Sequence, residues 1–155
     1  MKIQIPGTGE LQIENMLMDY NGTLAVDGRI VSGVKERINE LAPLVNFHVI
    51  TADTFGSVEK ALKDTNCTVT VLPKGNQDQA KLDYLKKLGP DKTICVGNGA
   101  NDRLMLKESV LGIAVLLEEG LTVSALTAAD IMVKNILDVF SYLEKPDRLV
   151  ACLRT

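Results

Sequence analysis

Tryptophan is absent from the 155-residue chain, aromatic residues of all kinds make up 4% of it, and His48 is its one histidine. That leaves few platforms on which nucleic-acid bases could stack. The formal charge of −3, from 17 basic and 20 acidic side chains, has the wrong sign for non-specific attraction to phosphate backbones. Nucleic acid is therefore not expected as a partner. No stretch approaches the roughly 18 apolar residues that span a bilayer, and Met1 to Gly7 lacks a signal-peptide apolar run. The amphipathic segments carry acids and bases together, which argues against a basic helix lying on a membrane. The three cysteines, Cys67, Cys95 and Cys152, are widely spaced, contain no Cys-x-x-Cys pair and lie far from His48 in sequence. They support neither a disulfide framework nor a zinc site. Reduced thiols without a leader lead us to expect an unexported protein of the cytoplasm, with no membrane partner.

What the chain does have is core material: 46% hydrophobic and 24% charged residues in about one domain's length. We therefore expect residues 1–155 to form a single domain. Lys2 to Ile5 and Leu11 to Ile13 flank Pro6-Gly7-Thr8-Gly9 and predict an N-terminal hairpin. Met16 to Met18 predicts a short apolar strand stopping at Asp19, with a turn at Asn21-Gly22. Val26 to Ile30 predicts a second small hairpin with Asp27-Gly28 at its tip.

From Ser32 onward helix and strand patterns alternate. Ser32 is the expected cap of a helix carrying Val34, Ile38, Leu41 and Leu44 on its apolar face. Phe47 to Ile50, Thr68 to Leu72, Thr93 to Val96, Leu111 to Val115 and Ile131 to Val133 read as strands. Ser57 to Lys63, Asp78 to Leu88, Asn101 to Glu108, Thr122 to Ala128, Asn135 to Leu143 and Arg148 to Arg154 read as helices. Repeated strand-then-helix units with continuous apolar strands predict an α/β fold: a doubly wound parallel sheet with helices on both faces.

In such a sheet ligands bind at the carboxyl ends of the strands, near the point where strand order reverses. Three predicted strands end in chemically competent residues: Asp19, Thr51, and the run Gly97-Asn98-Gly99-Ala100-Asn101-Asp102. Asp19 alone would read as a turn residue, and Thr51-Ala52-Asp53 reads equally as an N-cap region. Lys81 alone would read as a solvated helix lysine, with Lys74 as its rival for any site role. Mid-strand His48 reads as structural. Gly97-Asn98-Gly99 is not a dinucleotide fingerprint, because the third glycine of that pattern is Asp102 here.

Taken in order, Asp19-Tyr20-Asn21-Gly22-Thr23-Leu24, Thr51, Lys81 and Gly97 to Asp102 resemble the four motifs of the haloacid dehalogenase superfamily. The resemblance spans roughly Met16 to Ala129. It runs most strongly to the small soluble proteins related to the phosphorylation domain of P-type ATPases. It implies a Rossmann-like three-layer αβα fold and a Mg²⁺-dependent phosphohydrolase working through an aspartyl-phosphate. By the resemblance Asp19 is the nucleophile and first metal ligand, and the Asn21 backbone carbonyl is a second ligand. Asn98 and Asp102 complete the metal side, Thr51 bonds the transferring phosphoryl oxygens, and Lys81 neutralises charge. Gly22 is expected to let backbone N–H groups face the anion. The physical logic is that a carboxylate attacking a phosphate dianion needs cations to offset like-charge repulsion.

Two positions depart from the family pattern. Asn21 stands where most phosphatases of the superfamily have the Asp that protonates the leaving group, and a carboxamide cannot exchange that proton. Asn98 stands where the usual motif has a metal-binding carboxylate. Slow turnover on activated leaving groups is the expected consequence. The alternative is a catalytically degenerate protein that binds phosphate or regulates without turnover. Both departures sit in Asn-Gly pairs, the dipeptide most open to deamidation because glycine does not hinder attack by its own amide. The intervals Asp19 to Thr51 and Thr51 to Lys81 leave no room for a cap domain. The site is therefore expected to be open over its phosphorylated substrate, shielded by the Val26 to Ile30 flap or by a neighbouring copy in a homo-oligomer. A response-regulator receiver domain is disfavoured, since Glu10 and Glu14 precede the first core strand instead of ending it.

Overall fold

The computed structural model describes residues 1–52 and 56–155; Asp53, part of the N-cap alternative for Thr51, lies outside the described residues. The chain opens with an antiparallel hairpin, β1 (Lys2–Ile5) and β2 (Gly9–Gln12). β3 (Asn15–Asp19) follows, then a flap made of β4 (Ala25–Val26) and β5 (Arg29–Ile30). Asp27 and Gly28 at the flap tip both have positive φ, 50° and 73°, as a two-residue hairpin turn requires.

The remaining elements alternate as the patterning predicts. They are α1 (Val34–Leu41), β6 (Asn46–Thr51), α2 (Ser57–Ala61), β7 (Cys67–Val71), α3 (Gln77–Leu88) and β8 (Thr93–Gly97). Then come α4 (Arg103–Glu108), β9 (Leu111–Val115), α5 (Val123–Ala128), β10 (Ile131–Val133), α6 (Ile136–Glu144) and α7 (Pro146–Leu153). The six strands from β3, β6, β7, β8, β9 and β10 form one sheet in the order β10-β9-β8-β3-β6-β7, with every pairing parallel. Chain order runs outward from β3 to one edge and then restarts at β8 on its other side. The switch point therefore lies between β3 and β8, where a crevice opens beyond the carboxyl ends.

Side-chain alternation sorts the core into two layers. Met16, Met18, Phe47, Val49, Ile94 and Val96 pack with buried residues of α1 and α6. Leu17, Ile50 and Cys95 pack on the other face with Leu82 and Leu85 of α3 and Met105 and Leu106 of α4. Asp19 has the parity of Leu17, so the strand that buries Leu17 against α3 also aims Asp19 toward that helix.

Three local expectations fail, each for a definite reason. α1 is not capped by the Ser32 side chain: Gly33, at φ 90°, occupies the cap, with no side-chain bond to the helix. Leu44 is 47% exposed, because α1 ends at Leu41 and Leu44 lies in the turn beyond it, its N–H bonded to the Leu41 carbonyl. The helix expected from Asn101 starts with a tight 3₁₀ turn, Ala100–Asp102, before α4. By contrast Thr122 and Asn135 do cap α5 and α6, accepting from the N–H groups of Ala125 and Leu137.

Candidate functional site

β3 delivers Asp19 and β8 delivers the Gly97 to Asp102 run to the same crevice, while α3 crosses beside them with Lys81 on its inner face. Lys81 is 2% exposed and Asp102 fully buried. The Lys81 ammonium donates to Asp19 Oδ1 at 2.7 Å and to Asp102 Oδ1 at 2.6 Å, with a third, longer bond to Asn101 Oδ1 at 3.4 Å. A buried lysine between two carboxylates is satisfied in both charge and hydrogen bonding. Lys74, the rival from the sequence, is exposed.

Asp102 is held from the other side as well. Its Oδ2 accepts from the backbone N–H of Asn98 at 2.9 Å and of Gly99 at 2.8 Å. Gly97 makes this possible: a Cβ there would collide with the Asp102 carboxyl. The Asp102 carboxylate thus clamps its own loop and orients Lys81 at the same time.

The charges do not balance. Two carboxylates share one ammonium, and Asp19 is pushed up to about 7 by burial and by the Asp102 charge, against the pull of Lys81 and of the Tyr20 backbone N–H. Burial alone would lower Lys81, but the two carboxylates outweigh it and leave it raised. A further positive charge beside Asp19 would be favourable here. Among the described residues no three His, Cys, Asp or Glu side chains cluster for a metal. The donors at hand are the Asp19 carboxylate, the Asn21 carbonyl, the Asn98 carboxamide oxygen and the one acceptor position left on Asp102. This all-oxygen set suits Mg²⁺ and not a soft metal.

Thr51 ends β6, one residue beyond Ile50, the register partner of Asp19. Its side chain is buried, and its carbonyl accepts from the Leu72 N–H at 2.7 Å. Asn21 is exposed beside Asp19 in sequence and bridges to Ala25. The Gly22 backbone does not itself offer an amide to an anion. Its N–H donates to the Ala25 carbonyl at 2.8 Å, and the N–H groups of Thr23, Leu24 and Ala25 all turn to the Tyr20 carbonyl, so these amides are occupied within the loop. Gly22, at φ 74°, serves instead to leave space for the Asn98 side chain, which a Cβ would strike.

Three participants were not singled out from the sequence: Asn101, Thr23 and Gly120. Asn101 and Thr23 lie in the quoted motifs and Gly120 outside them, and Thr23 and Gly120 meet Asn98 only through folding. Thr23 Oγ1 donates to Asn98 Oδ1 at 3.2 Å, and Asn98 Nδ2 donates to the Gly120 carbonyl at 3.0 Å.

The chain has the HAD-like Rossmannoid α/β fold of the solved structures it resembles. Over 138 residues it is 29% identical to the soluble P-type ATPase-like phosphatase of Methanocaldococcus jannaschii, matching 87% of this chain; the chain spans half the length of that relative. An uncharacterized protein of the same organism is 42% identical over 84 residues, 52% of this chain and 90% of that protein. Among solved structures, 3-deoxy-D-manno-octulosonate 8-phosphate phosphatase from Moraxella catarrhalis superposes with a TM-score of 0.67. The two are 18% identical, with 93% of this chain and 95% of that one covered. That structure is a complex with magnesium, phosphate and KDO. No family model matches the chain.

Proposed function

We propose that this protein is a Mg²⁺-dependent phosphohydrolase in which Asp19 is the nucleophile. The observation that carries this reading is the buried Lys81 bonded to both Asp19 and Asp102 at the switch point of the sheet. A binding protein would need cations facing the anion, and would have no use for a carboxylate held at the centre. The relatives named as phosphatases support the same reading.

In this reading the Asp19 carboxylate attacks phosphorus and forms an acyl phosphate, while the bond from phosphorus to the leaving oxygen breaks and that oxygen keeps the electron pair. Water then attacks the phospho-aspartate, returning free Asp19 and inorganic phosphate. Lys81 offsets the charge gathered on Asp19 and on the transferring group. Thr51 donates its hydroxyl to a phosphoryl oxygen. Asp102 holds Lys81 and the Asn98 to Gly99 backbone in place. Asp19, the Asn21 carbonyl, Asn98 and Asp102 would hold Mg²⁺, which supplies positive charge that keeps Asp19 ionised and neutralises phosphoryl oxygens. Asn21 cannot protonate the leaving group, so substrates with good leaving groups, aryl phosphates or phosphoanhydrides, turn over faster than alkyl esters.

No helix among the described residues is long and apolar enough to cross a membrane, and we assign the activity to the cytoplasm. No cap is inserted between Asp19 and Thr51 or, among the described residues, between Thr51 and Lys81. Hydrolysis of p-nitrophenyl phosphate by wild type and Asp19→Ala, with and without Mg²⁺, tests the reading. Mg²⁺-dependent turnover that Asp19→Ala abolishes is expected. Equal rates in the two proteins would leave the degenerate, phosphate-binding alternative.

A further inference from the structure

Asn98 is more than a metal-site carboxylate that lost its charge. The Gly120 carbonyl can only accept a hydrogen bond, which fixes the carboxamide with Nδ2 toward Gly120 and Oδ1 toward the Thr23 hydroxyl. One side chain therefore joins the loop after β3 to the loop after β9. The Asn98 backbone strengthens the junction. Its carbonyl accepts from the Thr122 N–H at 3.0 Å and from Thr122 Oγ1 at 3.3 Å, and its N–H is held by Asp102. Gly22 leaves room for the carboxamide from below. The connection runs on to the flap: Glu119, next to Gly120, accepts at 2.8 Å from the backbone N–H of Asp27 at the flap tip.

We infer that Asn98 is a positioning residue whose donor–acceptor carboxamide ties the nucleophile loop to the β9–α5 loop, and through Glu119 to the flap, so setting the mouth over Asp19. A carboxylate at position 98 would set acceptor against acceptor at Gly120. It would also bring a third negative charge into a region where Asp19 and Asp102 share one lysine. On this view the carboxamide is required by the loops around it. The tie itself needs neither substrate nor metal, whereas its effect on turnover rests on the proposed phosphohydrolase reading.

The experiment is amide hydrogen exchange on the full-length, metal-free protein, comparing wild type with Asn98→Asp, Asn98→Ala, Thr23→Val and Thr23→Ser. Exchange in residues 116–122 and 25–30 should rise about tenfold in both Asn98 variants, the amount that losing one net hydrogen bond allows, while strands β3 and β8 stay protected. Thr23→Val should loosen 116–122 although Thr23 makes no bond to that loop, and Thr23→Ser, which keeps the hydroxyl, should restore protection. With p-nitrophenyl phosphate, Thr23→Val should raise KM and Thr23→Ser should leave it near wild type. Unchanged exchange in Asn98→Ala and Thr23→Val overturns the tie. Raised exchange with KM unmoved overturns the positioning role. A wild type without turnover overturns the proposed reaction, and the exchange measurements still decide the tie.

Discussion

Lys81 and Asp19, 62 residues apart in the chain, meet at 2.7 Å in the interior. Neither is stable there alone. Removing one partner of a buried ion pair typically costs roughly 3–5 kcal/mol, because the other charge is left uncompensated. Lys81→Met keeps the side chain's length and apolar stem, so urea unfolding at neutral pH should show a loss of that size, together with loss of phosphatase activity. Lys74→Met, on an exposed loop, should stay within about 0.5 kcal/mol of wild type. Equal stabilities for the two variants would contradict the buried ion pair.

Placing a carboxyl group at position 21 tests whether the carboxamide there limits the proposed turnover. Asn21 is exposed at the entrance to the site, so Asn21→Asp places a titratable group there without disturbing the core. Turnover of alkyl phosphates should rise by tenfold or more, toward the roughly 10²- to 10⁴-fold that acid–base help supplies, with a smaller gain on aryl phosphates. A gain that is the same for both leaving groups would refute the missing-acid explanation.

Metal removal should act on stability as well as rate. Ligands that bind only the folded state raise its stability, and Asp19 and Asp102 are under-neutralised without a cation. Millimolar Mg²⁺ is expected to raise the melting temperature of wild type and to restore activity lost to EDTA. Asp19→Asn should show a much smaller thermal shift; one as large as wild type would place the cation elsewhere.

His48 contributes a pH dependence. Its Nδ1 lies 3.1 Å from the Tyr84 hydroxyl, and burial lowers its pKa from 6.5. The unfolded chain therefore binds the proton more readily, so stability falls as pH drops below about 6.5, down to the lowered folded-state value. Acid titration of unfolding free energy should show this limb in wild type, with its His48 part absent in His48→Gln. Identical slopes in that window would exclude the effect.

Both Asn-Gly pairs are open to deamidation in sequence but shielded in the fold. The reaction needs the glycine nitrogen to attack the asparagine Cγ and expel ammonia, yet Gly22 N–H is bonded to the Ala25 carbonyl and Gly99 N–H to Asp102. Peptide mapping after mild alkaline incubation should find both asparagines intact in the folded protein and a one-dalton gain only after unfolding. Comparable gains in the two states would show that these amides are free.

The elements were legible because their signals are local. Continuous apolar runs marked β3 and β8, Asp27-Gly28 marked the flap tip, and Thr122 and Asn135 marked helix starts. The errors were local too. Periodicity carried α1 on to Leu44 because the spacing persists after the hydrogen bonds stop, and Ser32 looked like a cap because a glycine cap at positive φ leaves no side-chain signature.

The sequence by itself placed the candidates Asp19, Thr51, Lys81 and Asp102 at strand ends and near helix starts, and their order along the chain carried the resemblance that proposes phosphoryl chemistry for them. Only the tertiary structure decided how they are placed. The order β10-β9-β8-β3-β6-β7 brings Lys81 between two carboxylates and joins Asn98 to Thr23 and Gly120. Those relationships depend on which strands lie side by side, and that is set by burying both faces of the sheet, a property of the whole chain that no single stretch of it encodes.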